Sequence, residues 1–489
     1  MIGNFFKRIN VRQLSRHNPL EHFCQTKRSK PLRMSEKFLC PVARGMKKLD
    51  RDFFKKDVNL LIAKFSNPKA IGEFVRICKN YVLNVPQLKH IITFENTKAV
   101  IFKDDIDDIN TYRKKLPQNV LDFIDHHNIQ ILPYKLALDY SFWKADDILQ
   151  AILPESLLSE SPSGYAQAGH IAHMNLRNEF KPYGAIIGQI ILDKNPTIKT
   201  VVDKLDTISN EYRVFDMKLL AGENNFITEQ HESGCRFRFD FSKTFWNSRL
   251  STEHERLIAS FKQGEVVGDV FAGVGPFSVP AGKKGVIVLA NDLNPESHKY
   301  LVENAKLNNV SGSIKSFNLD GREFIRQSPR FLMEWKNKVG SIDLAKNIKR
   351  RRLPPESKKS HLREDVVEAV PIPNFISHYV MNLPGTSLEF LNEFVGLYSR
   401  DSEVLKLVNS DDTFKLPIVS VHCFEKFSPD EPEPSSRELH ERVHARIVKE
   451  IGFPLPIESF NFHLVRKVAP TKPMFCVTFQ LPEDVVFKK

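Results

Sequence analysis

The sequence predicts an α/β fold, with a doubly wound, mostly parallel sheet in its C-terminal half and smaller α+β domains before it. Three observations lead there. From about residue 262, apolar runs that end in glycine or an acid (VVGDVFAGVG, GVIVLAND) alternate with helical patterns such as NPESHKYLVENAKLNN. The preceding region reads as strand-rich, in GYAQAGHIAHMNL and then YGAIIGQIILD. The length of 489 residues, with 41% hydrophobic and 27% charged, exceeds one ordinary domain and can fill more than one core.

Taken in order, the chain divides into a basic arm over 1–36, an N-terminal domain over 37–156, a middle α+β domain over 160–250 and an α/β domain over 251–489. The last holds a basic, motif-free insertion near 323–375. The break before the middle domain is LLSESPSG. Within 37–156 the acidic run Asp104, Asp105, Asp107 and Asp108 reads as a solvated turn, because no glycine sits at the position a calcium loop needs. Phe237, Phe239 and Phe241 alternate with Arg236, Arg238 and Asp240, as a half-buried strand requires. In the α/β part, Asn294-Pro295 opens a helix, and Ser435 with Glu438 caps a later one that Gly452 closes. The tail FHLVRKVAPTKPMFCVTFQL reads as two strands around a proline-containing turn.

The net charge of +12 is concentrated. Residues 1–35 and residues 346–363 each hold eight Lys/Arg and one acid, so each carries +7 and the remaining chain comes to −2. The first segment has the acid-poor, arginine-containing pattern of a mitochondrial targeting arm, with a basic arm that touches RNA as the alternative. The second reads as a solvated loop, with a nuclear signal or an RNA contact as alternatives. The expected locations are therefore the mitochondrial matrix, the cytoplasm and the nucleus. No apolar run reaches 18 residues, so no membrane-spanning helix is expected. The six cysteines form no CxxC pair, which argues against a zinc knuckle or a disulfide framework. His170 and His173, three apart on a strand, point to opposite faces, and His422 reads as a core or edge residue, so no metal is expected.

Four polar signals fall at four strand ends. Asp269 opens the turn that carries Gly273 and Gly275, where glycines let backbone approach a ligand. Asp292 ends the next strand, at the distance where an acid meets a ribose diol. Asp320 ends a third strand, and Asn382-Leu383-Pro384 follows the apolar HYVM at the end of a fourth. In open α/β sheets ligands lie at the carboxyl ends of strands, so these signals converge on one crevice. The third glycine of a dinucleotide fingerprint is absent, which disfavours NAD.

This ordered set resembles class I S-adenosylmethionine-dependent methyltransferases. DVFAGVGPFS, ANDLNP, MNLP and VRKVAPTKPMFCVTF, preceded by LLAGEN and SRLSTEHER, resemble the eukaryotic and archaeal tRNA guanine-37 N1-methyltransferase family over residues 160–489. The resemblance implies methylation of guanine N1 beside the anticodon, S-adenosylmethionine as cofactor, tRNA as partner, and a monomer. It implies Glu253 as general base and Arg213 beside the guanine, with Asn382 and Pro384 next to base and cofactor. It implies Asp269, Gly273 and Gly275 at the cofactor, Asp292 and Leu293 at the ribose, Asp320 and Gly321 at the adenine, and His254 at a cofactor contact where archaeal relatives are basic.

The residue types suit that chemistry. Guanine N1 carries a proton of pKa about 9, so a positioned base helps, ideally a carboxylate whose pKa burial lifts toward about 6–7. A guanidinium such as Arg213 stabilises the charge that builds on O6. Two other readings remain open at this point. One is the related wybutosine-pathway transferase, which moves an aminocarboxypropyl group from the same cofactor. The other is a tRNA-binding protein without catalysis.

Overall fold

The structure is a computed structural model that describes residues 35–162, 164–208, 212, 214–345 and 367–488. Most of the basic arm, Arg213 and the basic segment 346–366 lie outside the described residues. The chain forms two units: one holds 50–147 and the residues up to 43, the other 44–49 and 148 onward. The second unit thus begins before the LLSESPSG break. Arg44 and Gly45 bond the carbonyls of Leu153 and Ile152, which ties 44–49 to that unit.

In the first unit, β1 (Lys56–Phe65), β2 (Ile91–Phe94), β3 (Thr97–Ile101) and β4 (Gln130–Leu138) form an antiparallel sheet in the order β2-β3-β1-β4. Leu61, Ala63 and Phe65 alternate along β1 onto one face and meet Phe74, Val120 and Ile124 from two helices. The acidic run is a turn whose Asp105 and Asp107 pair with Lys103, Lys37 and Lys115.

The second unit opens with β5 (Ala166–Ala168), β6 (Ile171–Met174), β7 (Thr200–Ile208) and β8 (Phe215–Gly222), ordered β5-β6-β7-β8. YGAIIGQIILD corrects the strand-rich reading, because Gly184–Lys194 is an α-helix. A short run of buried isoleucines fits either element, and periodicity does not separate them. Here Ile186, Ile187, Ile190 and Ile191 are buried at helical spacing, and a side chain at Gly188 would meet Leu220 at 2.7 Å.

A hairpin follows, of β9 (Ile227–Glu232) and β10 (Cys235–Asp240). Phe237, Phe239 and Phe241 are buried, while Arg236 and Arg238 face out. Asn308 and Asn304 accept the Arg236 and Arg238 backbone N–H groups, so the helix Pro295–Leu307 covers the edge of this hairpin.

The large sheet holds β11 (Val266–Asp269), β12 (Ile287–Asn291), β13 (Ile314–Phe317), β16 (His378–Met381), β17 (Ile418–Phe424), β18 (Asn461–Ala469) and β19 (Lys472–Gln480). Between β13 and β16 lies a separate antiparallel pair, β14 (Ser341–Ala345) and β15 (Val367–Pro371). The order is β13-β12-β11-β16-β17-β19-β18, and only β19 runs against the other six strands. The chain runs outward from β11 through β12 and β13, then returns to β11's other side with β16. That reversal is the switch point where such sheets open a crevice.

The insertion expected near 323–375 is narrower. Gly321–Val339 is a helix that buries Phe324, Ile325, Leu332 and Trp335 in the main core. Its apolar positions recur at helical spacing among many charges, which hid a core element inside a charged stretch. The predicted caps at Asn294, Ser435 with Glu438, and Gly452 are all present.

Candidate active site

β11 is buried along its length and delivers Asp269 to the crevice, fully enclosed. Ser278 Oγ donates to Asp269 Oδ2 at 2.6 Å, while Oδ1 has no partner among the described residues. Burial pushes the Asp269 pKa up to about 7, against the Ser278 bond and with help from the Asp292 charge. The stability consequence has a definite sign. Between the ordinary value of 3.8 and about 7, the folded state holds a proton that the unfolded state has lost, so stability falls as pH rises through that window. Asp269→Asn is expected to flatten this fall, seen as a melting temperature that drops less than wild type's between about pH 5 and about pH 8.

The turn after β11 is built on glycine. Gly275 has φ +97°, and a Cβ there would lie 2.8 Å from Val279 and 2.9 Å from Leu301. Gly273 has φ +54° with open space beside it, and its N–H donates to Asp292 Oδ2 at 2.8 Å. Asp292 Oδ1 takes the Asn294 N–H at 2.9 Å, so one carboxylate fixes both the glycine turn and the next helix start. Leu293 beside it is 41% exposed.

Asp320 caps the helix that follows β13, accepting the Arg322 N–H at 2.8 Å. A Cβ at Gly321 would strike Phe271 at 2.8 Å. Asn382 follows β16 with its Oδ1 buried and unpartnered among the described residues, and the Pro384 carbonyl accepts the Phe424 N–H of β17. The structure therefore gathers Asp269, Gly273, Gly275, Asp292, Leu293, Asp320, Gly321, Asn382 and Pro384 at the carboxyl ends of β11, β12, β13 and β16.

Sequence reasoning missed Asn291. Its amide donates to the Val270 and Leu319 carbonyls and accepts the Leu319 N–H, stitching three strand ends together. The only signal was a polar residue closing an otherwise apolar strand.

Glu253 lies on the helix Ser251–Ser260, 3% exposed. Arg256, one turn on, grips both carboxylate oxygens at 2.7 and 2.8 Å, and His422 Nε2 of β17 lies 2.8 Å from Oε1. The raised pKa expected for this carboxylate is corrected. Burial does push it up, but the Arg256 and His422 hydrogen bonds outweigh burial and hold it at about 2. His422 is drawn down by burial, yet Cys476 and Glu253 lift it to about 10. The ligand atoms of Glu253, His422 and Cys476 lie within 4.8 Å of one another. A cation among them would sit against the guanidinium, which opposes it.

His254 turns to Glu232, with Nδ1 and Oε1 2.5 Å apart and both side chains buried. Its ring packs edge-on against Phe277, which also lies 6.0 Å from the His422 ring. Phe277 thus joins the Glu253 network to the glycine turn. Arg213 lies outside the described residues.

Just before this helix, Phe245, Trp246 and Arg249 line a cavity of about 530 Å³ together with His173, Lys204 and Arg466. Among the described residues, none of those lining it is acidic. Phe245 is 51% exposed. Burial lowers the Lys204 pKa to about 8 and drives that of His173 to about 3, the latter aided by Lys204 and Arg249. A cationic cavity with an exposed ring suits stacked bases and phosphates.

Residues 228–353 match the family model described as the TRM5/TYW2 methyltransferase domain, and residues 145–225 match the TYW2 N-terminal domain. Over 454 residues the chain is 54% identical to the tRNA (guanine(37)-N(1))-methyltransferase of Candida albicans (strain SC5314), covering 93% of this chain and 99% of the relative. The chain belongs to the tRNA (guanine(37)-N(1))-methyltransferase family. Relatives in that family include those of Saccharomyces cerevisiae, 45% identical across 91% of this chain and 94% of its own, and Schizosaccharomyces pombe, 48% identical across 91% and 96%. Among solved structures, Trm5b from Pyrococcus abyssi superposes with a TM-score of 0.52 at 22% identity, covering 86% of this chain and 99% of that one. A complex of aTrm5 with tRNALeu gives 0.52 at 19% identity, covering 86% and 100%. These two likenesses show that the fold is shared with those structures.

Proposed function

We propose that this chain methylates N1 of guanosine 37 in tRNA, with S-adenosylmethionine as donor. The observation that carries the reading is the joining of the strand-end crevice to an enclosed carboxylate, Glu253, in a chain of this family. The crevice suits the cofactor: Asp269 Oδ1 and Asn382 Oδ1 are buried acceptors awaiting donors, and Gly273 leaves room beside the backbone. Asp292 and Leu293 would hold its ribose, and Asp320 with Gly321 its adenine. When bound, the cofactor supplies an electrophilic methyl group on a sulfonium.

Glu253 takes the N1 proton, Arg213 orients the ring and stabilises charge on O6, and Asn382 and Pro384 hold the base edge. A base methylated at its Watson–Crick edge must be unpaired, as an anticodon-adjacent purine is. Lys204, Arg249 and Arg466 would hold the phosphates around it. Localisation to mitochondria as well as cytoplasm and nucleus is part of this proposal, resting on the composition of residues 1–35 for the first and of residues 346–363 for the nucleus.

Methylation of a guanosine-37 transcript, with a transcript carrying another base at 37 as control, tests the reading; equal labelling of both would reject it. The double variant Arg249→Ala/Arg466→Ala is expected to raise KM for tRNA about tenfold and to weaken its salt dependence, with cofactor affinity unchanged in calorimetry. The match of residues 145–225 to the TYW2 N-terminal domain supports a second reading, aminocarboxypropyl transfer. Product mass separates the two, at about +14 Da against roughly +101 Da from the groups transferred.

A further inference from the structure

The proton that Glu253 accepts must leave before the next turnover, and the carboxylate is only 3% exposed. Among the described residues, four groups surround it: Arg256, His422, Cys476 and His463. Arg256 has no acceptor atom. His422 is fully buried, and with its pKa lifted to about 10 its Nε2 already carries a proton toward Glu253, so it has no lone pair there to accept another. Cys476 is likewise buried. His463 differs. Its Nε2 lies 3.5 Å from Glu253 Oε2, and its side chain is 43% exposed.

The sheet fixes this placement. Cys476 on β19 is paired with His422 on β17 and with His463 on β18, so the three side chains form one cross-strand row. The row begins in the core beneath Glu253 and ends at the edge strand.

We propose that His463 carries the methylation proton from Glu253 to solvent. This rests on Glu253 acting as the base. During transfer the N1–H bond breaks and its proton goes to Oε2, while the N1 electron pair forms the N–CH3 bond and the S–CH3 pair stays on sulfur. The Oε2–H bond then breaks, the proton passes to His463 Nε2, and the imidazolium releases it to water. At 3.5 Å the contact is long for a made hydrogen bond, and a proton on Oε2 gives it a donor. Burial, then Arg256 and His422, pull the His463 pKa below its usual value against Glu253, which keeps the ring neutral and able to accept.

The test compares first-turnover and steady-state methylation of a guanosine-37 transcript by His463→Gln, His463→Ala and Glu253→Gln. Glu253 starts ionised, so both His463 variants should complete the first turnover at the wild-type rate and then turn over about tenfold more slowly. Added imidazole should restore the steady state of His463→Ala, more so at pH values where imidazole is neutral. An unchanged steady state, a slowed first turnover, or a loss that imidazole does not relieve would overturn the relay. If Glu253→Gln alone abolishes the first turnover while the His463 variants behave as wild type, the relay fails and the base stands. If Glu253→Gln keeps the first turnover, the base fails and the relay with it.

Discussion

Glu253→Gln is expected to slow the first turnover by about a hundred- to ten-thousand-fold, while cofactor affinity measured by calorimetry stays within about twofold. The amide has no lone pair basic enough to accept the N1 proton, whereas the glycine turn, Asp292 and Asp320 are untouched. A carboxylate held at about 2 is a weak base, so its value lies in position rather than strength. Bidentate Arg256 fixes the plane of the carboxylate, and His422 fixes its rotation. The same substitution should lower stability, because the buried face of Arg256 loses one of its two acceptor oxygens. The sign with pH follows from a depressed pKa. The Glu253 contribution is fully present above the unfolded value near 4.5 and is lost as pH falls toward about 2. Thermal melts of wild type should therefore lose more between about pH 6 and about pH 3 than those of Glu253→Gln. A variant that methylates normally in a single turnover would remove Glu253 from the chemistry.

Gly275→Ala is expected to cost on the order of 3 kcal/mol in urea denaturation, adding backbone strain to overpacking. The backbone at φ +97° excludes side chains, and the new methyl would press on Val279 and Leu301, both buried. Gly273→Ala is the matched control. Its φ of +54° is only mildly unfavourable and nothing stands within 4 Å, so about 1 kcal/mol is expected. The two should reverse in cofactor binding relative to their stability effects, since the open space at Gly273 is where a ligand would come against the backbone. Equal stability losses in both variants would contradict this division of labour.

The crevice was legible because its signals are local. A glycine turn, an acid at a strand end and an NLP tripeptide each sit within a few residues of the strand that positions them. The Glu253 environment was not legible, since His422 comes from 169 positions away and a lone histidine in IVSVHCF reads as core. That is why burial alone suggested a raised pKa, whereas the partners lower it. The isoleucine-rich run over 184–194 misled for another reason: a short apolar run fits a strand or a helix, and the packing of Gly188 against β8 is seen only in the fold. The helix from Gly321 to Val339 was obscured by its own charges, which cover the solvent face of a core element.

The β14–β15 ladder pairs Ala345 with Val367 and Ser341 with Pro371. Chain ends held side by side in this way close a loop of any length at nearly the same entropy, about 0.6 kcal/mol for each doubling. The ladder therefore fixes where the chain re-enters the described fold, upstream of β16 and Asn382. A label inserted between Ala345 and Val367 is therefore expected to leave the register of β16, and with it the placement of Asn382, unchanged.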